Sequence, residues 1–164
     1  MKIIKIFLFI TLLLANGQAY STYPSTELDF LTLPPYCKAR KFGHEGEPEY
    51  DRWRKKFGPD FIHMHHYCGG LHSINLSFKE LDKAKYKHIL EIAIKEMRTV
   101  QHEFSANFIM QPKIQYDLGQ IYEKLGEDGF ALRAYQESIK LNPKNAPPYK
   151  AISDLYKKQS KTKT

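Results

Sequence analysis

The residues best suited to chemistry lie in one short run, where His63, His65, His66 and His72 crowd around Cys68; the only other cysteine is Cys37. On a helix His65, Cys68 and His72, spaced three and four apart, share one face. Two imidazoles and a thiolate can hold zinc or copper, with Cys37 as fourth ligand, provided both thiols stay reduced. In an oxidising compartment the same two cysteines form a disulfide instead and leave the histidines as half-buried helix residues. That bridge would close a loop of about 30 residues and contribute on the order of 3 kcal/mol. A histidine cluster that titrates near pH 6 is also a candidate pH sensor. Covalent haem is not indicated, because C-x-x-C-H is absent.

Other catalytic patterns are missing. The chain has no G-x-S-x-G, no H-E-x-x-H and no phosphate-cradling glycine loop, and His44-Glu45 and His102-Glu103 each lack a second histidine at zinc-protease spacing. A Cys68 nucleophile beside histidine is chemically conceivable, but an oxidising compartment opposes a free thiolate. No cofactor is expected and the chain reads as a non-enzyme.

The compartment is argued from the first 19 residues. Two lysines precede an apolar run from Ile6 to Ala15, and small residues Gly17 and Ala19 follow at the positions a signal peptidase reads. A membrane span needs about 20 apolar residues, so this run reads as a cleaved leader and not as an anchor. Export to a periplasm or the exterior, with cleavage near Ala19, is the expectation. Loss of Lys2 and Lys5 with the leader lowers the charge excess from +7 to about five. Part of that excess collects in Lys157, Lys158, Lys161 and Lys163, which read as a solvated basic tail over 159–164 with the preceding helix end. Nucleic-acid binding has no support, since no basic motif is interleaved with stacking aromatics.

The elements that must position these residues are helical. Residues 20–48 carry Pro24, Pro34, Pro35 and Pro48 with no sustained period and read as an irregular segment, fastened by Cys37. Residues 49–104 read as a helical segment without repeats. Its first helix carries Trp53 and Phe57 four apart and stops at Gly58-Pro59; a second opens at Pro59 and breaks near Asn75–Ser77. Asn75-Leu76-Ser77 also matches a glycosylation sequon. A third, long helix is expected from Ser77, with Glu80 completing a capping box, through Phe104 without a break.

Residues 112–145 are different. Leu118, Gly119, Tyr122, Ala131, Tyr135 and Pro143 fall in the order L-G-x-x-Y, A-x-x-x-aromatic, Pro. This segment resembles the tetratricopeptide repeat, a helix-turn-helix unit of about 34 residues. Its helices are expected over 112–125 and 128–141, followed by a partial second repeat or capping helix over 146–158 carrying Tyr149, Ile152, Ser153 and Tyr156. The resemblance implies that Gly119 and Ala131 let two helices approach while Tyr122 and Tyr135 fill the space between them. Gln115 stands where the family prefers Trp, and Ser138 where it prefers Ala. The N-terminal half is similar to that of exported bacterial proteins of this repeat class.

The fold class is therefore all-α: a tetratricopeptide-like solenoid fragment with a disulfide-pinned N-terminal helical segment. About three repeats are usually needed for independent stability, so helices from 49–104 must serve as the missing neighbours. The resemblance implies a groove for a protein or peptide partner, lined by Lys113, Tyr116, Gln120 and Glu123 in the full repeat and by Lys150, Asp154 and Lys157 in the following helix. Tyr116 and Gln120 replace the Lys and Asn with which some family members clamp a C-terminal carboxylate, which argues against that mode. An exported interaction or assembly scaffold is the expected role; the alternative is a small metal-binding protein using His65, Cys68 and His72.

Overall fold

Prolines and glycines set the ends of most helices in this chain. The computed structural model describes residues 23–161; the expected leader and the final residues of the basic tail lie outside them. Among the described residues there is no strand. The order is α1 (Glu27–Phe30), α2 (Pro35–Phe42), α3 (Pro48–Phe57), a 3-10 segment (Gly58–His63), α4 (Met64–Ser77), α5 (Lys83–Glu103), α6 (Gln111–Lys124), α7 (Asp128–Leu141) and α8 (Ala146–Lys161).

Two short helices thus occupy the stretch expected to be irregular. Pro34-Pro35 reads as a breaker, but Pro35 sits in the first turn of α2, where its missing N–H has no intrahelical partner to lose. Pro48 plays the same part in α3, with Glu49 and Asp51 in the first turn. The Trp53 and Phe57 rings stack at 5.7 Å, and Gly58, at φ 66°, ends the helix in a conformation that side chains with Cβ resist.

The second boundary differs from expectation. Helix α4 continues through Asn75–Ser77 because the Ser77 hydroxyl turns back and donates to the Ile74 carbonyl at 2.7 Å instead of capping the next helix. Asp82 provides the cap of α5, accepting from the Lys85 amide at 2.8 Å. Beyond it α5 runs unbroken as one long helix, as its sequence indicates.

The core has two hairpins. Met64, Tyr67 and Cys68 of α4 pack with Leu90, Ala93, Met97 and Val100 of α5; Ile114, Leu118 and Ile121 of α6 pack with Ala131, Ala134 and Tyr135 of α7. The Cys37–Cys68 disulfide ties α2 to α4, and Tyr36, Trp53, Phe57, Phe61 and Phe108 form an edge-and-face aromatic layer beside it. The two hairpins are joined by a buried polar contact: Tyr67 Oη donates to Asp117 Oδ2 at 2.7 Å, and Lys113 Nζ donates to Asp117 Oδ1 at 2.6 Å. Burial, followed by the Asp117 carboxylate, holds the Tyr67 phenol well above its ordinary range, so it stays a donor.

Candidate partner-binding groove

The repeat hairpin is built on one close approach. A Cβ placed on Gly119 would lie 2.3 Å from Cε1 of Tyr135, so the bare backbone of α6 is what lets α7 seat its aromatic ring. That ring is fully buried, and its hydroxyl donates to Glu123 Oε2 at 2.9 Å. Burial and then the Glu123 bond push the Tyr135 phenol far up. Tyr122 stacks on Phe130 with centroids 5.3 Å apart. Ser138, in a position where a small residue is required, uses its hydroxyl to donate to the Pro112 carbonyl at 2.7 Å. The second hairpin residue of interest, Ala131, is completely buried.

With α7 seated, α6 and α8 face one another across an open groove of about 460 Å³. Tyr116, Gln120 and Glu123 line it from α6, and Lys150 and Asp154 line it from α8. Gln120 Nε2 donates to Tyr116 Oη at 3.2 Å, and the Tyr116 ring lies 5.7 Å from that of Tyr135. Desolvation, aided by the carboxylates of Asp117 and Glu123, raises the Tyr116 phenol. On the far wall Lys150 Nζ and Asp154 Oδ2 are 2.5 Å apart. Their hydrogen bond holds the Asp154 carboxyl below, and the Lys150 ammonium above, their ordinary ranges. Tyr135, Ala146, Pro147 and Ala151 complete the lining. Sequence reasoning assigned Tyr135 only to packing and passed over the three small residues. Their spacing, Ala146-Pro147 followed by Ala151 a turn later, is the signal that marks a helix flank open to close approach.

The remaining two positions fall outside the lining. Lys113 turns onto Asp117, as described above, and passes 5.9 Å from the Tyr116 ring. Lys157 reaches back to Asp154 at 3.7 Å. The groove is therefore amphipathic, with an aromatic and amide wall facing a paired lysine and aspartate.

The cysteine and histidine cluster is organised quite differently from a metal centre. Cys68 Sγ is bonded to Cys37, so no thiolate remains to join His65 and His72. The histidines are committed to separate neighbours: His65 Nδ1 lies 2.9 Å from the Ile62 carbonyl, and His66 Nδ1 lies 2.8 Å from Glu96 Oε2. His63 faces Glu103 at 3.4 Å. Among the described residues no group of three or more His, Cys, Asp or Glu is placed to hold a metal ion. Nothing among the described residues supports the metal alternative: His65, Cys68 and His72 share one helix, but Cys68 Sγ is spent in the disulfide. Asn75, of the sequon, donates its amide to Thr32 Oγ1 at 3.0 Å from within α4.

His65 and His72 carry a pH dependence. Burial lowers the pKa of both His65 and His72 below the ordinary histidine value near 6.5; for His72 the opposing pull of Asp29 is smaller. The unfolded chain then binds protons that the folded chain refuses, in the window between each lowered value and 6.5. Stability is therefore full above pH 6.5 and falls as pH drops through that window. Thermal melts followed by circular dichroism are expected to give a lower Tm at pH 5 than at pH 7.5, and His72→Asn is expected to flatten that difference.

Comparison with known proteins agrees with the geometry of the α6–α7 hairpin: residues 112–145 match the tetratricopeptide repeat family. No curated protein and no solved structure matches the chain. No helix among the described residues is long and apolar enough to cross a membrane. The matched span coincides with α6, α7 and the turn between them, and its signature residues make the contacts that the signature requires; residues 112–145 are a tetratricopeptide repeat.

Proposed function

We propose that the protein is an exported interaction module that receives a peptide segment of a protein partner in the groove between α6 and α8. The observation that carries this reading is the groove itself, whose walls are Tyr116, Gln120 and Glu123 on one side and Lys150 and Asp154 on the other. Tetratricopeptide repeats are protein-interaction units, which supports the class of ligand. An aromatic ring, an amide and a paired lysine and aspartate offer an extended peptide stacking and hydrogen bonds along its backbone, with little net charge to select by. A non-catalytic scaffold role accords with the repeat. Export is supported by the lysine, apolar-run and small-residue order of residues 1–19 and by the bridged cysteines.

Selection of peptides from a displayed random library tests the groove. Peptides enriched on the wild-type protein are expected to lose about tenfold or more in affinity on Tyr116→Ala. Gln120→Glu, which sets a new carboxylate beside Glu123, is expected to change which peptides are selected. Isothermal calorimetry with the enriched peptides reads both, and unaltered affinity and selection in the two variants would remove the groove from consideration.

A further inference from the structure

The N-terminal half holds a cavity that peptide capture between α6 and α8 does not use. Cys37, Arg40 and Lys41 lie three and four apart on α2, and His65 lies three before Cys68 on α4, so bridging the two cysteines gathers both sets of side chains in one place. There they line a pocket of about 480 Å³, of a size that holds a small molecule. Tyr23, Pro24 and Phe30 complete its wall. The Tyr23 ring is anchored, since its hydroxyl donates to Glu96 Oε2 at 2.7 Å and lies 2.9 Å from His66 Nδ1. Glu96 Oε2, also 2.8 Å from His66 Nδ1, is thereby engaged and is not part of the lining. Among the described residues that line the pocket there is no carboxylate.

The cations here are positioned without being neutralised. Arg40 Nε and His65 Nδ1 both donate to the Ile62 carbonyl, each at 2.9 Å, which fixes guanidinium and imidazole beside one another. With Nε spent, Arg40 keeps its two terminal nitrogens, whose N–H groups form a fork that matches the two oxygens of one carboxylate. Among the described residues neither Arg40 nor Lys41 has an acidic partner, whereas Lys38 on the same helix pairs with Glu27 at 2.5 Å. Burial, opposed by the Ile62 bond and reinforced by His66, Arg40 and His63, lowers the pKa of His65, as positive surroundings require. The geometry points to a binding site for a small organic acid, with its carboxylate on Arg40 and Lys41 and a ring-sized apolar body against Phe30, Pro24 and the disulfide. A bare inorganic anion is the poorer fit, because the apolar wall strips its hydration and returns no hydrogen bonds. This site is separate from the α6–α8 groove and does not depend on it.

The probe is 3-phenylpropionate, titrated into the full chain and followed by nuclear magnetic resonance, with the Arg40 Nε–H and His65 ring signals as the local readout. Saturable shifts of those signals are expected below about 10 mM. The neutral isostere 3-phenylpropionamide and inorganic phosphate are each expected to bind at least about tenfold more weakly. Arg40→Gln is expected to lose about tenfold in affinity and Lys41→Gln about fivefold. Lys38→Gln, an equal loss of charge on α2 outside this pocket, is expected to change nothing. Lys41 is exposed, so its variant decides the matter if Arg40→Gln lowers the Tm. The inference is overturned if no shift saturates, if the amide or phosphate binds as well as the acid, if Lys41→Gln binds like wild type, or if Lys38→Gln weakens binding as much as Lys41→Gln. It is equally overturned if a short peptide ending in phenylalanine with a free carboxylate binds more than about tenfold more tightly than the free acid, since the site would then belong to a protein terminus.

Discussion

Gly119→Ala is expected to destabilise the protein by about 3 kcal/mol, at the upper end of what overpacking by a single methyl costs. The new carbon would fall 2.3 Å from Cε1 and 2.4 Å from Cδ1 of Tyr135. Neither partner has room to yield. The ring is fully buried and its hydroxyl is held by Glu123, while Gly119 is fixed in the middle of α6. Separating the helices to admit the methyl would also open the packing of Leu118 and Ala131. Gly129→Ala is the control: a Cβ there meets nothing within 4 Å, so alanine is expected to gain about 0.5 kcal/mol from helix propensity. Urea denaturation of the two variants measures both. Equal stabilities would mean that the hairpin is not built on the Gly119 contact.

The second large effect is expected from the disulfide. Cys37 and Cys68 are 31 residues apart, and a loop of that size confines the unfolded chain by about 3 to 4 kcal/mol in the chain-entropy account. Cys37→Ala/Cys68→Ala is expected to lose that amount and about 10 °C or more in Tm. The loss should be matched by reduction of the wild type, whereas reductant should leave the double variant unchanged. Both cysteines are almost completely buried, so reduction is expected to be slow until the α2–α4 region opens. A double variant as stable as wild type would show that aromatic packing alone holds the N-terminal segment.

The repeat was legible to within a residue or two, because six residue types at fixed spacing specify two helices and the turn between them. Tertiary positioning of the groove was legible in part. Tyr116, Gln120 and Glu123 lie one and two turns apart and must share a face, but Lys113 on that same stripe is drawn aside by Asp117. Nothing local announces that capture, since Asp117 is buried and accepts from Tyr67, 50 residues earlier. The start of α5 was misplaced for a similar reason: Ser77 and Asp82 are equally good capping residues by type, and the choice turns on where the Ser77 hydroxyl points. The two readings of the cysteine and histidine cluster could not be separated by spacing, which reports which residues share a face and not that Cys68 Sγ is bonded to Cys37.

The Tyr67–Asp117–Lys113 contact bears on how the chain folds. Solenoids ordinarily assemble from nearest neighbours, so each hairpin can form and dissolve with modest reference to distant ones. Here a carboxylate inside the repeat hairpin finds its neutral donor on α4, and the disulfide fixes α4 to α2. An isolated α6–α7 hairpin would keep Lys113 for Asp117 but expose to water the side on which Tyr67 sits. The native state of the repeat is thus completed by sequence-distant contacts, which raises the contact order above that of a plain helical array and slows folding accordingly. The two halves are expected to melt in one transition and not repeat by repeat, so the tetratricopeptide unit at residues 112–145 behaves as part of an indivisible globule and not as a link in a chain of modules.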